Sequence, residues 1–279
     1  MNAPCPELVF RNGTRLDDPL PLALLFLEQD YSYRSYDSVP IRTDDVVREE
    51  DLRIANRIGA RMSTAEIAGI LEHAPAMDAA LRRIPADASL TDADDQIPWS
   101  ALDELYQAPT GVPGVGLAKL TKALHKKRPH LIPMLDSVVA GYLRSVDSIP
   151  PGGGLSAATA LTRCYKKDLD VNRETLECVQ GRLAASGYSL SLCRVLDIYT
   201  WAYAGAITPA WAIEVLEARS SAPTEAGRVD EAAELADDLG LTLDAEGASR
   251  ALLQAAIGEL GYLTARREIR RWFAERGVE

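Results

Sequence analysis

From about residue 43 onward, signals that start and stop helices recur along the chain, and this constrains the fold more than any other feature. Ser63 is followed three residues later by Glu66, which is the pattern of a capping box. Pro209 stands where the first turn of a helix accepts proline, and Gly240 stands where a helix ends. Period-two alternation bounded by hairpin turns, which is typical of strands, is absent. The sequence therefore predicts an all-α, multi-helix fold.

The predicted helices suggest a core domain and an extension. The expected helices span residues 45–57, 63–72, 75–83, 98–107, 117–128, 134–145, 155–166, 172–185, 189–204, 209–219, 228–239, 245–259 and 262–276. Residues 1–42 are irregular, and their apolar stretch 20–27 is a candidate for a short helix packed on the core. A small, polar break at 220–224 separates a helical core domain, 1–219, from a C-terminal helical extension, 224–279. A boundary inside one packed domain would look the same.

Composition narrows the class of protein. A chain of 279 residues with 47% hydrophobic content can bury a large core. No apolar run of about 18 residues or more is present, and the N-terminus lacks a signal-peptide pattern, so we expect a cytoplasmic protein without a membrane partner. We interpret the four cysteines as buried thiols, because they are widely spaced and form no CxxC pair. They are Cys5, Cys164, Cys178 and Cys193. Neither a disulfide framework, a metal site nor a cofactor is expected.

Charge is unevenly distributed along the chain. The formal net charge is −11, which argues against a protein that coats itself with nucleic acid. Residues 117–145 nevertheless contain six Lys or Arg against one acid, which gives +5 locally and leaves −16 for the rest. Any contact with a polyanion such as DNA is therefore expected on one face only.

The most informative stretch is the run Gly-Val-Pro-Gly-Val-Gly at residues 111–116, which precedes a predicted helix. Gly114 and Gly116 permit positive φ and close backbone approach, so the chain turns sharply and leaves free N–H groups at the helix start. That arrangement suits a phosphate oxygen. After the helix comes a proline-containing extended turn, 129–135, and then Asp136.

The helix between these features is predicted to be amphipathic. At 100° per residue its leucines cluster on one face, while Lys119, Lys122 and Lys126 fall on the opposite face. One face is expected to pack on the core and the other to form a lysine stripe.

A Pro-Gly-Val-Gly hairpin, a helix, a proline-containing turn and an aspartate opening the next helix resemble the helix-hairpin-helix DNA glycosylase superfamily. With the stretch 194–201, the motif also resembles, more closely, an uncharacterised actinobacterial family, a domain of unknown function, over about residues 45–215. The first resemblance implies a glycosylase-like fold in which Gly114, Val115 and Gly116 contact the DNA backbone. It also implies that Asp136 is the catalytic carboxylate, stabilising positive charge at C1′ of a flipped nucleotide.

The chain departs from the glycosylase pattern at three points. The lysine nucleophile of bifunctional members is replaced by Gln107, so a lyase activity is not supported. Val138 stands where a polar residue often follows the aspartate, and the four-cysteine iron–sulfur cluster is missing.

Several residues have two interpretations on sequence grounds. Asp136 is either a helix N-cap or a catalytic carboxylate, and the two roles are compatible. Asp197, in an apolar helix, is a second active-site acid or a buried group satisfied by an arginine or a backbone donor. Four tryptophans either stack on a flipped base or belong to the core: Trp99, Trp201, Trp211 and Trp272. Tyr31, Tyr33 and Tyr36 either line a cleft or stack on bases, or they belong to an exposed linker. The arginines of 266–271 either extend a basic surface or favour the helix dipole and solubility.

Two functions compete at this point. The first is a monofunctional, N-glycosylase-like DNA repair hydrolase, with Asp136 as the carboxylate and with Lys119, Lys122 and Lys126 beside the DNA backbone. The second is a non-catalytic DNA-binding or protein-interaction module on the same scaffold, since a fold does not dictate a function. The sequence identifies neither the substrate base nor a protein partner.

Overall fold

The structure is a computed structural model, and it describes residues 4–29, 35–150 and 152–204. Within that part the chain is mostly helical, as predicted. Ten α-helices are described by their bounds: α1 Leu20–Gln29, α2 Glu49–Ala55, α3 Thr64–Glu72, α4 Ala74–Leu81, α5 Trp99–Gln107, α6 Leu117–His125, α7 Ser137–Asp147, α8 Ala158–Val171, α9 Arg173–Ala185 and α10 Leu192–Ala204. The 3₁₀ helices Asn56–Ile58 and Gly154–Ala157 extend α2 and precede α8. No described helix is long and apolar enough to cross a membrane.

The helices pack as neighbours around α10, whose inward residues Leu196, Ile198 and Tyr199 are fully buried. Helix α10 contacts α7 and α9, and α7 in turn contacts α8. A second group pairs α4 with α5, α5 with α8, and α2 with α6. The expected packing of the stretch 20–27 is confirmed, because α1 packs against α9 and α10.

The N-terminal segment is more ordered than the sequence suggested. Strands β1 Leu8–Val9 and β2 Arg15–Leu16 pair antiparallel, with Leu8 opposite Leu16. The side-chain amide of Asn172 accepts from Val9 N at 2.7 Å and donates to Val9 O at 2.9 Å, as a neighbouring strand would. This small hairpin is therefore held by a helix terminus. Two residues per strand are too few to produce a recognisable alternation.

The cysteine prediction is half wrong. Cys164 and Cys193 are free and buried, as expected. Cys5 and Cys178, however, form a disulfide that joins the N-terminal segment to α9 across 173 residues. The bond was invisible in the sequence because only the fold brings two residues so far apart to a Cα separation of 5.8 Å.

Several predicted helix boundaries shift for a physical reason. The helix expected over 45–57 begins only at Glu49, because the carboxylates of Asp44 and Asp45 accept bonds from buried cations instead of entering a helix. The helix expected over 134–145 begins at Ser137, since residues before it are held extended by buried side chains. The helices predicted beyond residue 204, with the extension 224–279, lie outside the described residues.

Candidate functional site

The loop between α5 and α6, residues 108–116, requires glycine at one of its two predicted positions. Gly114 has a φ of +78°, as expected, and a Cβ there would overlap Glu66 Oε1. The expectation of positive φ is wrong for Gly116, where φ is −114° and a Cβ would meet none of the described atoms within 4 Å. Val115 is partly buried and packs on the core. The close approach of another chain segment thus falls at Gly114, and that segment carries a carboxylate.

Glu66 connects the start of α3 with the start of α6. Its Oε2 accepts from Ser63 N at 2.7 Å, which completes the predicted capping box. Its Oε1 accepts from Lys119 Nζ at 2.5 Å, and the Lys119 side chain is 25% exposed. The pKa of Glu66 is lowered, mainly by this bond to Lys119. A protein carboxylate therefore lies beside Gly114 and neutralises the first lysine of α6.

Lys122 on α6 and Lys126, the residue that follows the helix, do not form the exposed stripe that was expected. Lys126 is buried, its Nζ donates to Val39 O at 2.6 Å, and the ammonium lies 4.8 Å from the centre of the Tyr36 ring. The Lys122 side chain is only 13% exposed. Burial lowers the pKa of both amines. The predicted apolar face is confirmed, since Leu120 and Leu124 are buried, but the predicted exposure of the lysine face is wrong because residues 35–66 contact it.

The next two basic residues are fully buried and paired with acids. Lys127 Nζ lies 2.9 Å from an Asp44 oxygen and 2.8 Å from an Asp51 oxygen. Arg128 donates to Asp45 at 2.5 Å and to four backbone carbonyls. The bond to Lys127 is the main reason that the pKa of Asp44 falls to about 2. The local charge of +5 is thus neutralised largely by acids from residues 44–66, which a count within residues 117–145 omits.

Asp136 is the N-cap of α7, and its two oxygens have different surroundings. Oδ1 accepts from Val138 N at 3.0 Å and from Val139 N at 3.1 Å, so the expected capping role is confirmed. Oδ2 lies 3.8 Å from Lys122 Nζ, beyond hydrogen-bonding distance, and the Asp136 side chain is 17% exposed. One oxygen is committed to the helix, while the other faces the Lys122 amine.

The extended segment before Asp136, residues 131–135, is fixed by buried side chains of α6. His125 Nδ1 lies 2.6 Å from Ile132 O, and because a carbonyl only accepts, this nitrogen carries the proton. Thr121 Oγ1 accepts from Leu135 N at 3.0 Å and donates to Leu117 O. Burial lowers the pKa of His125 to about 3, so the ring is neutral in the folded protein near neutral pH. Helix α6 therefore sets the backbone that carries Asp136.

Asp197, on α10, holds the same segment from the other side. Its Oδ2 accepts from Met134 N at 3.2 Å, which confirms the expected backbone donor, whereas Oδ1 has no hydrogen-bond partner among the described residues. Burial raises the pKa of Asp197 to about 8, although nearby Arg194 opposes the shift. The hydroxyl of Tyr165 is close by, but its proton goes to Cys193 O at 2.5 Å. Asp197 is thus a buried acid with one oxygen uncommitted, next to the segment that ends in Asp136.

The contacts of Asp37 and Tyr36 with this region were not predicted from the sequence. Arg194 and Asp37 form a buried ion pair, with Nη2 3.1 Å from Oδ2. Tyr36 is buried and donates to Lys122 O at 3.0 Å, so it is not part of an exposed linker. Two chain segments 157 residues apart meet here, and no local pattern could have predicted that contact. Lys122 interacts with both Asp136 and Asp197, and we refer to these two acids together with Lys122 as the acid cluster.

Comparison with known protein families matches residues 23–204 to a family of unknown function, DUF6308. The chain belongs to this family. No curated protein matches the chain significantly, and no solved structure does. The expected resemblance to an uncharacterised family is confirmed in that coarse form, whereas the match to DUF6308 does not link the chain to the glycosylase superfamily. All residues of the acid cluster lie inside the matched region.

The remaining candidates in this DUF6308 member fall away from the acid cluster or outside the described residues. The guanidinium carbon of Arg163 lies 4.0 Å from the centre of the Trp99 ring, and Trp99 Nε1 donates to Asp94 O. Trp201 packs edge-on against Phe26, with ring centres 5.7 Å apart. Both tryptophans serve packing, as the simpler interpretation expected. Five predictions, on Tyr31, Tyr33, Trp211, Trp272 and the arginines of 266–271, concern residues outside the described part.

Proposed function

We propose that this protein is a monofunctional, N-glycosylase-like enzyme that binds DNA and cleaves a base–sugar bond with Asp136. The observation that carries the proposal is that the two oxygens of the Asp136 carboxylate have different surroundings. Oδ1 accepts both capping N–H groups, and Oδ2 is left beside an amine at 3.8 Å. The cap therefore does not use Oδ2, which is the oxygen that we assign to the reaction.

The chemistry of N-glycosidic cleavage suits such a carboxylate. As the base departs, positive charge builds on the sugar in an oxocarbenium-like state, which an adjacent fixed anion stabilises. The two backbone bonds to Oδ1 hold the group in place, so little reorganisation accompanies the reaction. We propose no lyase step at residue 107, because Gln107 has no amine nucleophile and its amide donates to Leu155 O at 3.2 Å.

DNA contact would be made at the loop that carries Gly114, Val115 and Gly116. The first turn of α6 leaves backbone N–H groups without intrahelical acceptors, and Lys119 is more exposed than Lys122 and Lys126. A phosphate arriving here meets the Glu66 carboxylate, which already holds Lys119. We therefore propose that DNA binds by displacing Glu66 from Lys119, while Lys122 and Lys126 contribute to the field around the site rather than direct contacts.

The experiment that tests catalysis uses Asp136→Asn, because asparagine caps a helix as well as aspartate does but carries no charge. We expect the variant to unfold at the wild-type temperature, bind DNA as the wild type does, and release no base from duplexes carrying a panel of damaged bases. Asp136→Ala is the matched control, which loses the cap too and is destabilised by about 1 kcal/mol. Base release by Asp136→Asn at the wild-type rate would overturn the proposal.

A second candidate is a non-catalytic DNA-binding or protein-interaction module. The observation that favours it is the internal pairing of Lys119, Lys127 and Arg128 with acids, which reduces the positive surface available to DNA. Binding to a duplex with an abasic-site analogue at low and moderate salt separates a DNA-binding protein, catalytic or not, from a protein-interaction module. DNA binding predicts that Glu66→Gln strengthens and Lys119→Gln weakens the complex. If wild type and Glu66→Gln both fail to bind at low salt, a protein-interaction module remains.

A further inference from the structure

The neighbourhood of Asp197 contains a polar arrangement that the proposed reaction does not use. Asp197 is 2% exposed, yet among the described residues only one of its oxygens has a hydrogen-bond partner, the backbone N–H of Met134. A buried acceptor without a partner carries a free-energy cost, so its position calls for a physical reason. Replacing it by an apolar side chain would remove that cost but also the bond to Met134.

The bond to Met134 occupies a particular place in the chain. Met134 lies two residues before Asp136, in the segment that α6 holds through bonds to Ile132 and Leu135. Those two bonds fix the segment from the α6 side, and Asp197 is its side-chain partner on α10. The segment is therefore held between two helices, and its next residues place the Asp136 carboxylate.

We infer that Asp197 is a positioning residue, which orients the Asp136 carboxylate by holding the Met134 backbone from α10. The inference rests on the proposed function, because Asp136 is positioned for a reaction only if it takes part in one. The structural coupling between Asp197 and Asp136 is tested separately from that function. Because Asp136 lies close enough to interact with Asp197, ionisation of Asp197 both strengthens its bond to Met134 and repels the Asp136 carboxylate. Ionisation of Asp197 therefore affects Asp136 in two ways, through the backbone that begins at Met134 and through charge repulsion.

The charged and titratable groups around Asp197 determine how this is measured. They come from its own helix, from α8, from α6 and from the segments before α2 and α7: Cys193, Arg194, Tyr165, Lys122, Tyr36 and Asp136. Burial raises the pKa of Cys193, Tyr165 and Tyr36 well above their usual values, so these groups stay neutral between pH 6 and pH 9. Lys122, whose pKa is lowered by burial, needs a control of its own.

The test follows backbone amides of the full chain by NMR during a titration from pH 6 to pH 9, after selective ¹⁵N labelling of methionine and valine. The sequence has four methionines, so Met134 is assigned by comparison with Met134→Leu. We expect Met134 and the two capped amides, Val138 and Val139, to shift with one shared midpoint near pH 8. Asp197→Asn should abolish this step in all three amides, and Lys122→Met should retain it.

A step at Met134 that is absent from Val138 and Val139 would overturn the inference, as would a step that survives in Asp197→Asn. Thr162→Val serves as the matched control, since it removes a buried hydroxyl of α8 bonded to Ala158 and Tyr106 and should leave the step unchanged. Should Asp197→Asn fail to fold, the shared step in the wild type and in Lys122→Met still decides the question. A shared step in a protein that releases no base would refute the proposed function and leave the coupling intact.

Discussion

Replacing Asp197 by asparagine will change how the stability of the protein depends on pH. Burial raises the pKa of Asp197 from 3.8 to about 8, and burial lowers the pKa of His125 from 6.5 to about 3. Both side chains are therefore neutral in the folded protein at pH 6. In the unfolded chain at that pH, Asp197 is ionised and His125 is mostly protonated.

These two groups act on the free energy of unfolding with opposite signs. Between pH 3.8 and about 8 the folded state keeps a proton on Asp197 that the unfolded chain has lost, so stability falls as pH rises. Between pH 6.5 and about 3 the unfolded chain binds a proton on His125 that the folded state does not, so stability falls as pH falls. Each slope is about 1.4 kcal/mol per pH unit within its window.

The magnitudes follow from where the windows overlap. From pH 5 to pH 6.5 the two contributions nearly cancel in the wild type, whereas from pH 6.5 to pH 8 Asp197 alone remains and lowers stability by about 2 kcal/mol. In Asp197→Asn only the His125 contribution of the two is left, which is level from pH 6.5 to pH 8 and about 2 kcal/mol less favourable at pH 5 than at pH 6.5. The variant therefore moves the sloping part of the curve from the alkaline side to the acid side.

Urea unfolding at pH 5, 6.5 and 8 measures both windows, provided that the dependence on urea concentration is the same for the two proteins. Groups elsewhere titrate in wild type and variant alike, so they cancel in the difference between the curves. Two parallel curves would refute the reasoning, because they would mean that Asp197 is not held neutral by burial.

Two further predictions concern the buried cations and the disulfide. Lys127→Met leaves the buried Asp51 carboxylate without its cation and should lower stability by about 3 kcal/mol, against at most about 1 kcal/mol for Lys119→Met at a more exposed pair; equal losses in chemical unfolding would contradict this. Cys178→Ser opens the disulfide and should cost about 3–5 kcal/mol, given the 173 residues it spans, whereas Cys164→Ser at a free thiol should cost less. Chemical unfolding of both variants in the absence of reductant measures the two losses of stability.

Local patterns in the sequence predicted what depends on neighbours in the chain. The capping box of Ser63 and Glu66, the turn at Gly114 and the N-cap at Asp136 are short-range features, and each forms as expected. Their signals are strong because capping and positive φ restrict residue type at a single position. The helix beginnings near them were accordingly predicted to within a few residues.

The surroundings of the same residues could not be predicted in this way. Lys122 and Lys126 looked solvent-facing on a helical projection, but a projection shows only which residues share a face, and a covering segment can bury either face. Here the cover is the segment with Tyr36 and its neighbours, which begins 86 residues before Lys122. The uncommitted oxygen of Asp197 likewise depends on where α8 and α10 meet. Such contacts between distant segments produce no periodic pattern in the sequence.

The spacing of the polar residues on α6 links the two ends of the candidate site. Lys119 faces Glu66 and Lys122 faces Asp136, and residues three apart on a helix are neighbours on its surface. The rise between them is about 4.5 Å, at 1.5 Å per residue. An anion that displaces Glu66 from Lys119 therefore arrives within one helical turn of the Lys122–Asp136 pair. Backbone anchoring at the loop and chemistry at Asp136 are thus coupled by one short helix, whose far end, through Thr121 and His125, also fixes the segment that carries the carboxylate.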